Sequence, residues 1–345
     1  MFTVKTMKLK VENPTKTKFE LLNQEYEKLN FFLKTGIDLG LYSANKQQAL
    51  RFFKKIKQEK EYPLSVRNDL IRISENKRFV KIPVKDRRKG LWLPVKGYEE
   101  IPFGCKVRES KIKKRNDYFI LLLTVQKEIK IKSCSNILAV DLGEKVIATT
   151  VLSLNQRPTF YGREIRGIRT HYSWLRKRLG EKKLLRKIKQ LRNKEKRVVD
   201  YHLHKIAKNI VVLAVNSSAS IVLGDLKGIR KSAKGKRMNR IVSNMPFYKL
   251  TKYIEYKASW LGIKVIKINE RGTSHTCSRC GSEGKRPYQG LFICPNCGYK
   301  VNADYNGCKN IMKRGLETIS SSDGVVVEPA QNCVQNTEAT FDRWW

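Results

Sequence analysis

Three features are scarce or missing in this sequence, and each points away from a class of protein. It has no apolar run long enough to span a bilayer and no recognisable signal peptide or lipidation motif, so nothing predicts a membrane or secreted protein. Acidic residues are few, with 31 Asp and Glu against 72 Lys and Arg and a formal net charge of +41. Such an excess predicts a polyanionic partner. The basic residues are spread along the chain, which favours broad nucleic-acid contact over a short targeting patch.

Cysteine is scarce outside one short region. Two CxxCG sequences contain Cys277, Cys280, Cys294 and Cys297. Four thiolates at this spacing predict a tetrahedral structural zinc site, and they favour a reducing compartment over disulfides. A redox or disulfide role is the alternative. We interpret the single cysteines as core or incidental thiols; these are Cys105, Cys134, Cys308 and Cys333.

The first 132 residues predict a small β-rich domain with helices inserted. Residues 1–12 alternate as a strand does, and four short strands are predicted between residues 79 and 125. This strand spacing indicates a small antiparallel barrel or sandwich. Helical periodicity is found over three further stretches, which are residues 18–33, residues 45–57 and a run opened by Pro63. The basic connector over residues 127–135 is the predicted domain boundary.

A buried strand that ends on an acid opens the second half of the chain. Residues 136–141 are apolar up to Asp141, and a hairpin partner over residues 145–152 and a third strand over residues 158–161 follow. A carboxylate at the end of a central strand is where a divalent metal can be held against a phosphate. The alternative is an aspartate that merely caps a turn.

Two more strands and four helices are predicted after this hairpin. The basic helical stretch from residue 167 to residue 214 indicates two antiparallel helices, and a third helix is expected after Pro246. The apolar strands cover residues 220–226 and 263–269, and Glu270 follows the second. Residues 227–239 are basic with hardly an apolar residue, which predicts a segment that is mobile without nucleic acid. After the cysteines, Asp304 opens a last helix, so its carboxylate lies at the positive end of the helix dipole.

One ordered series of motifs resembles a known family. The series consists of Asp141, Gly224-Asp225-Leu226, Tyr256-Lys257-Ala258, Thr273-Ser274, the four cysteines and Asp304-x-Asn306-Gly307. It resembles the RuvC-like nuclease region of TnpB, the transposon-encoded relative of type V CRISPR nucleases, over about residues 136–314.

The resemblance implies an α/β fold in which residues 133–315 form a ribonuclease-H-like (RuvC) nuclease domain. A zinc ribbon over residues 273–299 is inserted in that domain. Residues 1–132 would form a wedge-like β-barrel with a helical recognition segment that binds guide RNA and DNA. The polar residues 316–345 are predicted to be a disordered tail.

The family also implies an activity and partners. These are a guide RNA copied from the transposon end, a double-stranded DNA target beside a short duplex motif, and strand cleavage by three acids that hold two Mg²⁺ ions. A prokaryotic cytoplasmic protein, associated with the nucleoid through DNA binding, is the expected localisation.

The chain departs from the family pattern at one of the three acids. Asp141 and Asp304 match, but Gly224 stands where the family usually has a glutamate. Glu270 is the best placed substitute, because its strand would be a parallel neighbour of the strand that carries Gly224. Asp225 faces the other side of the sheet by strand alternation, and Glu255 would lie in a helix.

The departure leaves three functions open. We predict an active nuclease in which Asp141, Glu270 and Asp304 hold magnesium. The first alternative is a nuclease-inactive, RNA-guided DNA-binding repressor. The second is a zinc-ribbon nucleic-acid-binding protein without a guide.

Overall fold

The computed structural model describes residues 2–52, 57, 60–225, 235, 246–288 and 290–323. The chain divides into two units between Ile129 and Lys130, inside the basic connector. Most of the basic segment over residues 227–239, Cys333 and residues 324–345 of the predicted tail lie outside the described residues. Within the described ranges, no helix is both long and apolar enough to cross a membrane.

The first unit is built on a seven-stranded antiparallel sheet. Its strands are β1 Phe2–Val11, β2 Leu64–Val66, β3 Arg72–Ile73, β4 Phe79–Val84, β5 Arg87–Gly97, β6 Lys106–Arg115 and β7 Tyr118–Glu128. The spatial order is β2-β6-β7-β1-β5-β4-β3, with β1 between its two long partners β5 and β7. In the described part of the chain no ladder joins the short edge strands β2 and β3. The predicted barrel is therefore observed as an antiparallel sheet whose edges are not paired with each other.

Two helices lie between β1 and β2 in sequence, whereas the sequence predicts three in this region. They are α1 Lys16–Thr35 and α2 Ser43–Phe52; residues 53–56, at the end of the second predicted helix, lie outside the described residues. The buried Glu25 carboxylate of α1 joins the two helices to β4, because it accepts hydrogen bonds from Asn45 Nδ2 (2.8 Å) and from the backbone N–H groups of Tyr42 and Lys85.

The predicted third helix, opened by Pro63, is wrong. Leu64, Ser65 and Val66 form the strand β2 instead, and all three are buried. They pair with residues 110–112 of β6, so a partner distant in sequence outweighs the helical spacing of the apolar residues.

The second unit contains a five-stranded sheet of mixed direction. Its strands are β8 Asn136–Asp141, β9 Ala148–Leu152, β10 Pro158–Tyr161, β11 Ala219–Asp225 and β12 Val265–Asn269. The order is β10-β9-β8-β11-β12, with the first three strands antiparallel and with β8, β11 and β12 parallel. This is the predicted ribonuclease-H-like arrangement.

Helices cover both faces of this sheet. On one face pack α3 Arg163–Glu181, α4 Leu185–Asn216 and α5 Phe247–Trp260, against alternate residues such as Leu138, Val140, Ile221 and Leu223. On the other face, α6 Ala303–Asp323 packs through Cys308, Ile311 and Met312. The distal parts of α3 and α4 project from this core, since residues 173–198 contain no buried residue among those whose burial is described.

A small ribbon connects β12 to α6. It contains the four cysteines and a hairpin of β13 Leu291–Ile293 with β14 Lys300–Asn302. The sequence predicts a tail from residue 316, but α6 continues to Asp323. Ile319 packs against the core beneath α6, which accounts for the added turns of helix.

Candidate active site and metal centre

Three strand ends bring residues 141, 224 and 270 to the same face of the sheet. The residues two positions earlier, which pack against α6, are Ala139, Val222 and Ile268. Because side chains alternate along a strand, Asp141, Gly224 and Glu270 also face α6. Asp225 and Lys267 belong to the opposite set. Lys267 forms an ion pair with Glu255 of α5 there, so Glu255 lies on the other side of the sheet from Asp141.

The side chain of Glu270 fills the space beside Gly224. A Cβ atom added to Gly224 would overlap Oε1, Cδ and Cγ of Glu270. The ladder pairs Gly224 with Ile268, so Glu270 follows two residues later on the adjacent strand. Neighbouring strands are about 5 Å apart, a distance that a glutamate side chain can cross. A carboxylate therefore lies beside Gly224 although residue 224 has no side chain.

Asp304 reaches the same face from the first turn of α6. The side chain of Asn302 begins this helix by accepting hydrogen bonds from the N–H groups of Asp304 (3.0 Å) and Tyr305 (3.1 Å). One turn later, a Cβ atom added to Gly307 would be 2.9 Å from Oδ2 of Asp141. A glycine at position 307 thus lets α6 approach the carboxylate of β8 closely.

The three carboxyl groups are gathered in a poorly solvated place. Burial raises the pKa of Glu270 to about 8, with smaller contributions from the charges of Asp141 and Asp225. Burial, and then the charge of Asp304, raise the pKa of Asp141 to about 7. The pKa of Asp304 is also raised by burial, against the opposing effect of nearby cations. Carboxyl groups whose pKa is raised in this way are typical of functional sites.

The cations lie at the Asp304 end of the group. Arg286, from the ribbon, has Nη2 3.7 Å from Oδ1 of Asp304. Lys145 and Arg163 also lower the pKa of Asp304, whereas no cation contributes to the pKa of Glu270. The group is therefore polarised, with positive charge at one end and uncompensated carboxylate at the other.

These residues fit a divalent metal site. Oε1 of Glu270 is buried and has no hydrogen-bond partner in the part of the chain that the structure describes. An orphaned carboxylate oxygen close to other carboxylates is satisfied by a hard cation such as Mg²⁺. The three acids do not form the tight cluster that the cysteines form, and two ions about 3.5–4 Å apart draw ligands from a wider area.

The four cysteines form a compact thiol cluster. Sγ of Cys277 is 3.7 Å from that of Cys297, Sγ of Cys280 is 3.5 Å from that of Cys294, and all four atoms lie within 4.8 Å of one another. A tetrahedron with Zn–S bonds of about 2.3 Å has sulfur atoms roughly 3.8 Å apart, so this cluster is compatible with zinc.

A glycine ends each of the two turns that carry the cysteines. Gly281 and Gly298 have positive φ angles of 79° and 68°, and their N–H groups donate to the carbonyls of Cys277 and Cys294. Each CxxCG sequence is thus a tight turn whose last residue adopts a left-handed conformation that glycine accepts without strain.

The chain is similar to one protein-family model and to several known proteins. The family described as "Cas12f1-like, TNB domain" matches residues 247–311, which contain α5, β12, the ribbon and the start of α6. The chain is 38% identical over 143 residues to CRISPR-associated endodeoxyribonuclease Cas12f1 of Sulfoacidibacillus thermotolerans, covering 41% of this chain and 33% of that protein. It is 34% identical over 232 residues to Cas12f2 of a Micrarchaeota archaeon, covering 61% of this chain and 42% of that protein.

A third relative is a TnpB-like protein of Methanocaldococcus jannaschii. The identity is 29% over 225 residues, which cover 61% of this chain and 79% of that protein. Together these similarities to TnpB-like and Cas12f proteins support a protein of the TnpB type. The chain matches about a third to two fifths of the length of the two CRISPR-associated relatives.

The other motifs of the TnpB-like series lie on both sides of the sheet. Thr273 ends the turn after Glu270, because its N–H and Oγ1 both donate to the Glu270 carbonyl (3.0 and 2.8 Å). Ala258 is buried in the helical layer, and Tyr256 Oη lies 3.4 Å from Nδ1 of His204. Tyr256-Lys257-Ala258 therefore belongs to α5, on the face of the sheet opposite α6.

Sequence reasoning missed Arg286. This residue lies between the two cysteine pairs with no spacing that links it to Asp304, and only the folded ribbon brings the two together. The adjacent basic pair Lys285-Arg286 was the one available signal.

Proposed function

We propose that this protein is an RNA-guided DNA endonuclease of a transposon, which cleaves target DNA by Mg²⁺-dependent phosphodiester hydrolysis. The observation that carries the proposal is the carboxylate of Glu270 beside Gly224. With Glu270 counted, a third acid accompanies Asp141 and Asp304, and the departure at position 224 does not remove the chemistry. The endonuclease names of the Cas12f relatives support the same activity.

In this proposal Asp141, Glu270 and Asp304 hold two magnesium ions. Bound magnesium would stabilise the attacking and the leaving oxygen of the phosphodiester. Asp141 lies centrally, since its charge raises the pKa of Glu270 and its own pKa responds to Asp304. Arg286, Lys145 and Arg163 would attract the DNA phosphate at the Asp304 end. Burial of the site excludes water that would otherwise screen these charges.

Besides magnesium, the proposal includes one structural zinc ion. Cys277, Cys280, Cys294 and Cys297 would hold it as thiolates. N–H donation to sulfur favours the thiolate form: the backbone N–H of Arg279 lies 3.4 Å from Sγ of Cys277, and hydrogen bonds from Ser282 help lower the pKa of Cys280 to about 6. Elemental analysis of purified protein should find close to one zinc per chain.

The proposed partners are a guide RNA from the transposon end and a double-stranded DNA target beside a short duplex motif. The projecting parts of α3 and α4 carry many lysines and arginines and bury little, which suits contact with a nucleic-acid backbone. The cytoplasm, at the nucleoid, is the place of action for such a protein.

Cleavage of a guide-matched plasmid in Mg²⁺ tests the activity and its third acid. Glu270→Gln should reduce cleavage at least about 10²-fold while target binding persists, and Asp141→Ala should match it, because ligands of one metal site fail together. Glu255→Gln is the matched control, since Glu255 lies on the other face of the sheet, and it should cut normally. If Glu270→Gln cuts as fast as wild type, Glu270 is not the third acid.

Two further outcomes would select the alternatives. Wild type that binds the target tightly but never cuts in Mg²⁺ or Mn²⁺ would be a guided repressor. The protein should also copurify with one discrete structured RNA, with an affinity that falls steeply with salt. A random RNA population would instead indicate a zinc-ribbon nucleic-acid-binding protein without a guide.

A further inference from the structure

Two buried asparagines of α6 hold the backbone on both sides of the first cysteine of the ribbon. Oδ1 of Asn306 accepts a hydrogen bond from the N–H of Ser278 (2.9 Å), and its Nδ2 donates to the carbonyl of Thr276 (2.8 Å). Cys277 lies between these two residues. One side-chain amide therefore fixes both peptide groups that flank a proposed zinc ligand.

Asn310, one turn further along α6, extends the same contact toward Glu270. Its Nδ2 donates to the carbonyls of Thr276 (2.7 Å) and Thr273 (2.8 Å). Thr273 in turn donates to the carbonyl of Glu270 through its N–H and its Oγ1. The backbone from Glu270 to Cys277 is thus fastened to α6 at three of its peptide groups.

The same helix carries Asp304 two residues before Asn306. Gly307 directly follows Asn306 and makes the close approach to Asp141. Asn306 is completely buried and Asn310 is 7% exposed, so water does not replace these hydrogen bonds when the side chains are removed. A shift of the ribbon therefore displaces Asp304 relative to Glu270.

We propose that Asn306 and Asn310 are positioning residues that couple the cysteine centre to the carboxylate centre. The inference rests on the proposed function for what the carboxylates do, but the coupling itself is a property of the fold. Coupling between two sites is reciprocal, so occupation of the carboxylates by Mg²⁺ must also change the cysteine centre. This second direction is measurable without any DNA.

Cobalt replacing the proposed zinc makes the reciprocal effect visible. Co²⁺ bound by four thiolates absorbs visible light, and the absorption depends on the geometry of the four sulfurs. We expect Mg²⁺ to shift the cobalt bands of the wild-type protein and to leave those of Asn306→Ala unchanged. Wild-type bands that ignore Mg²⁺, or Asn306→Ala bands that shift as in wild type, would overturn the proposal.

Metal release and cleavage give two further measurements. In Asn306→Ala, zinc release to a chromogenic chelator should be at least about tenfold faster, and half-maximal cleavage should need at least about tenfold more Mg²⁺. Asn155→Ala is the matched control, because Asn155 also binds a backbone N–H (3.1 Å to Arg157) but in an exposed turn. The Asn155→Ala protein should keep the wild-type zinc release and Mg²⁺ requirement. If Asn306→Ala also has wild-type values in both assays, the coupling is contradicted.

A second variant decides the matter if Asn306→Ala does not fold. Asn306→Asp keeps the acceptor for Ser278 but loses the donor to Thr276, so it should lie between wild type and Asn306→Ala in both assays. An Asn306→Asp protein identical to wild type would overturn the role of the donor. If wild type itself never cuts DNA, the proposed function fails, while the cobalt bands and zinc release still judge the coupling separately.

Discussion

The two candidate metal centres of this protein differ in how the chain assembles them. The cysteine centre comes from two short turns within one ribbon, and its four sulfurs lie within 4.8 Å of one another. The carboxylate centre comes from β8, from the residue after β12 and from the first turn of α6, which are far apart in sequence. The first can form wherever its ribbon folds, whereas the second requires the whole sheet and the helix that covers it. The carboxylate centre should therefore be the more easily disrupted of the two, although the coupling between their binding free energies is reciprocal.

Loss of the zinc ligands should give the largest effect. Cys277→Ser should abolish stoichiometric zinc and, through α6, reduce plasmid cleavage at least about 10²-fold. Asp141→Ala should abolish cleavage but keep one zinc per chain. Zinc content by elemental analysis beside the cleavage assay measures both. A Cys277→Ser protein that cuts normally would show that the centres are independent.

The next effect concerns which strand supplies the third acid. Gly224→Glu should inactivate the protein, because its side chain would overlap that of Glu270. Moving the acid, with Gly224→Glu and Glu270→Gly together, should recover cleavage at least about tenfold over either single variant, which is a difference of about 1.4 kcal/mol in activation free energy. Rates of plasmid cleavage by the two single variants and the double variant give this energy. Strictly additive losses would mean that the two positions do not share one space.

These positions show how much could be read from the sequence. The cysteine spacing predicted the thiol cluster because its ligands are local. The apolar runs predicted the strands β8, β11 and β12, and the resemblance to the RuvC-like fold implied that they are parallel neighbours. The choice of Glu270 required only that β11 and β12 be parallel neighbours. The helix predicted after Pro63 failed because Leu64–Val66 have their partner in β6, far along the chain. Arg286 and Asn310 were missed because their contacts exist only once the ribbon lies against α6.

A smaller effect should appear in the pH dependence of stability without Mg²⁺. The folded-state pKa values of Asp141 (about 7) and Glu270 (about 8) lie above their ordinary values of 3.8 and 4.5. Between about pH 4.5 and 8 the folded protein therefore binds more protons than the unfolded chain, and stability must fall as pH rises. We expect the Tm to be a few degrees lower at pH 8 than at pH 6, and added Mg²⁺ or Glu270→Gln to reduce this difference. A Tm that rises over this interval in wild type would contradict the burial of these acids.

The smallest effect should come from Asp225. Its charge raises the pKa of Glu270, but by strand alternation its side chain belongs to the opposite face of the sheet. Asp225→Asn should therefore change the maximal cleavage rate by less than about tenfold and shift the pH profile of cleavage slightly toward lower pH. A loss as large as that of Glu270→Gln would make Asp225 a member of the carboxylate centre, and the assignment of faces would have to change.

The overlap between residue 224 and Glu270 has a consequence for how such a site changes over evolutionary time. Acquiring a glutamate at position 270 before losing one at position 224 places two side chains in one volume. Losing the acid at 224 first leaves two carboxylates for a site that needs three. Either order of single substitutions passes through an impaired protein. A lineage with its acid at position 224 should therefore rarely change to one with its acid at position 270, or the reverse. A relative with a glycine at the position of 224 should then hold its acid at the position of 270.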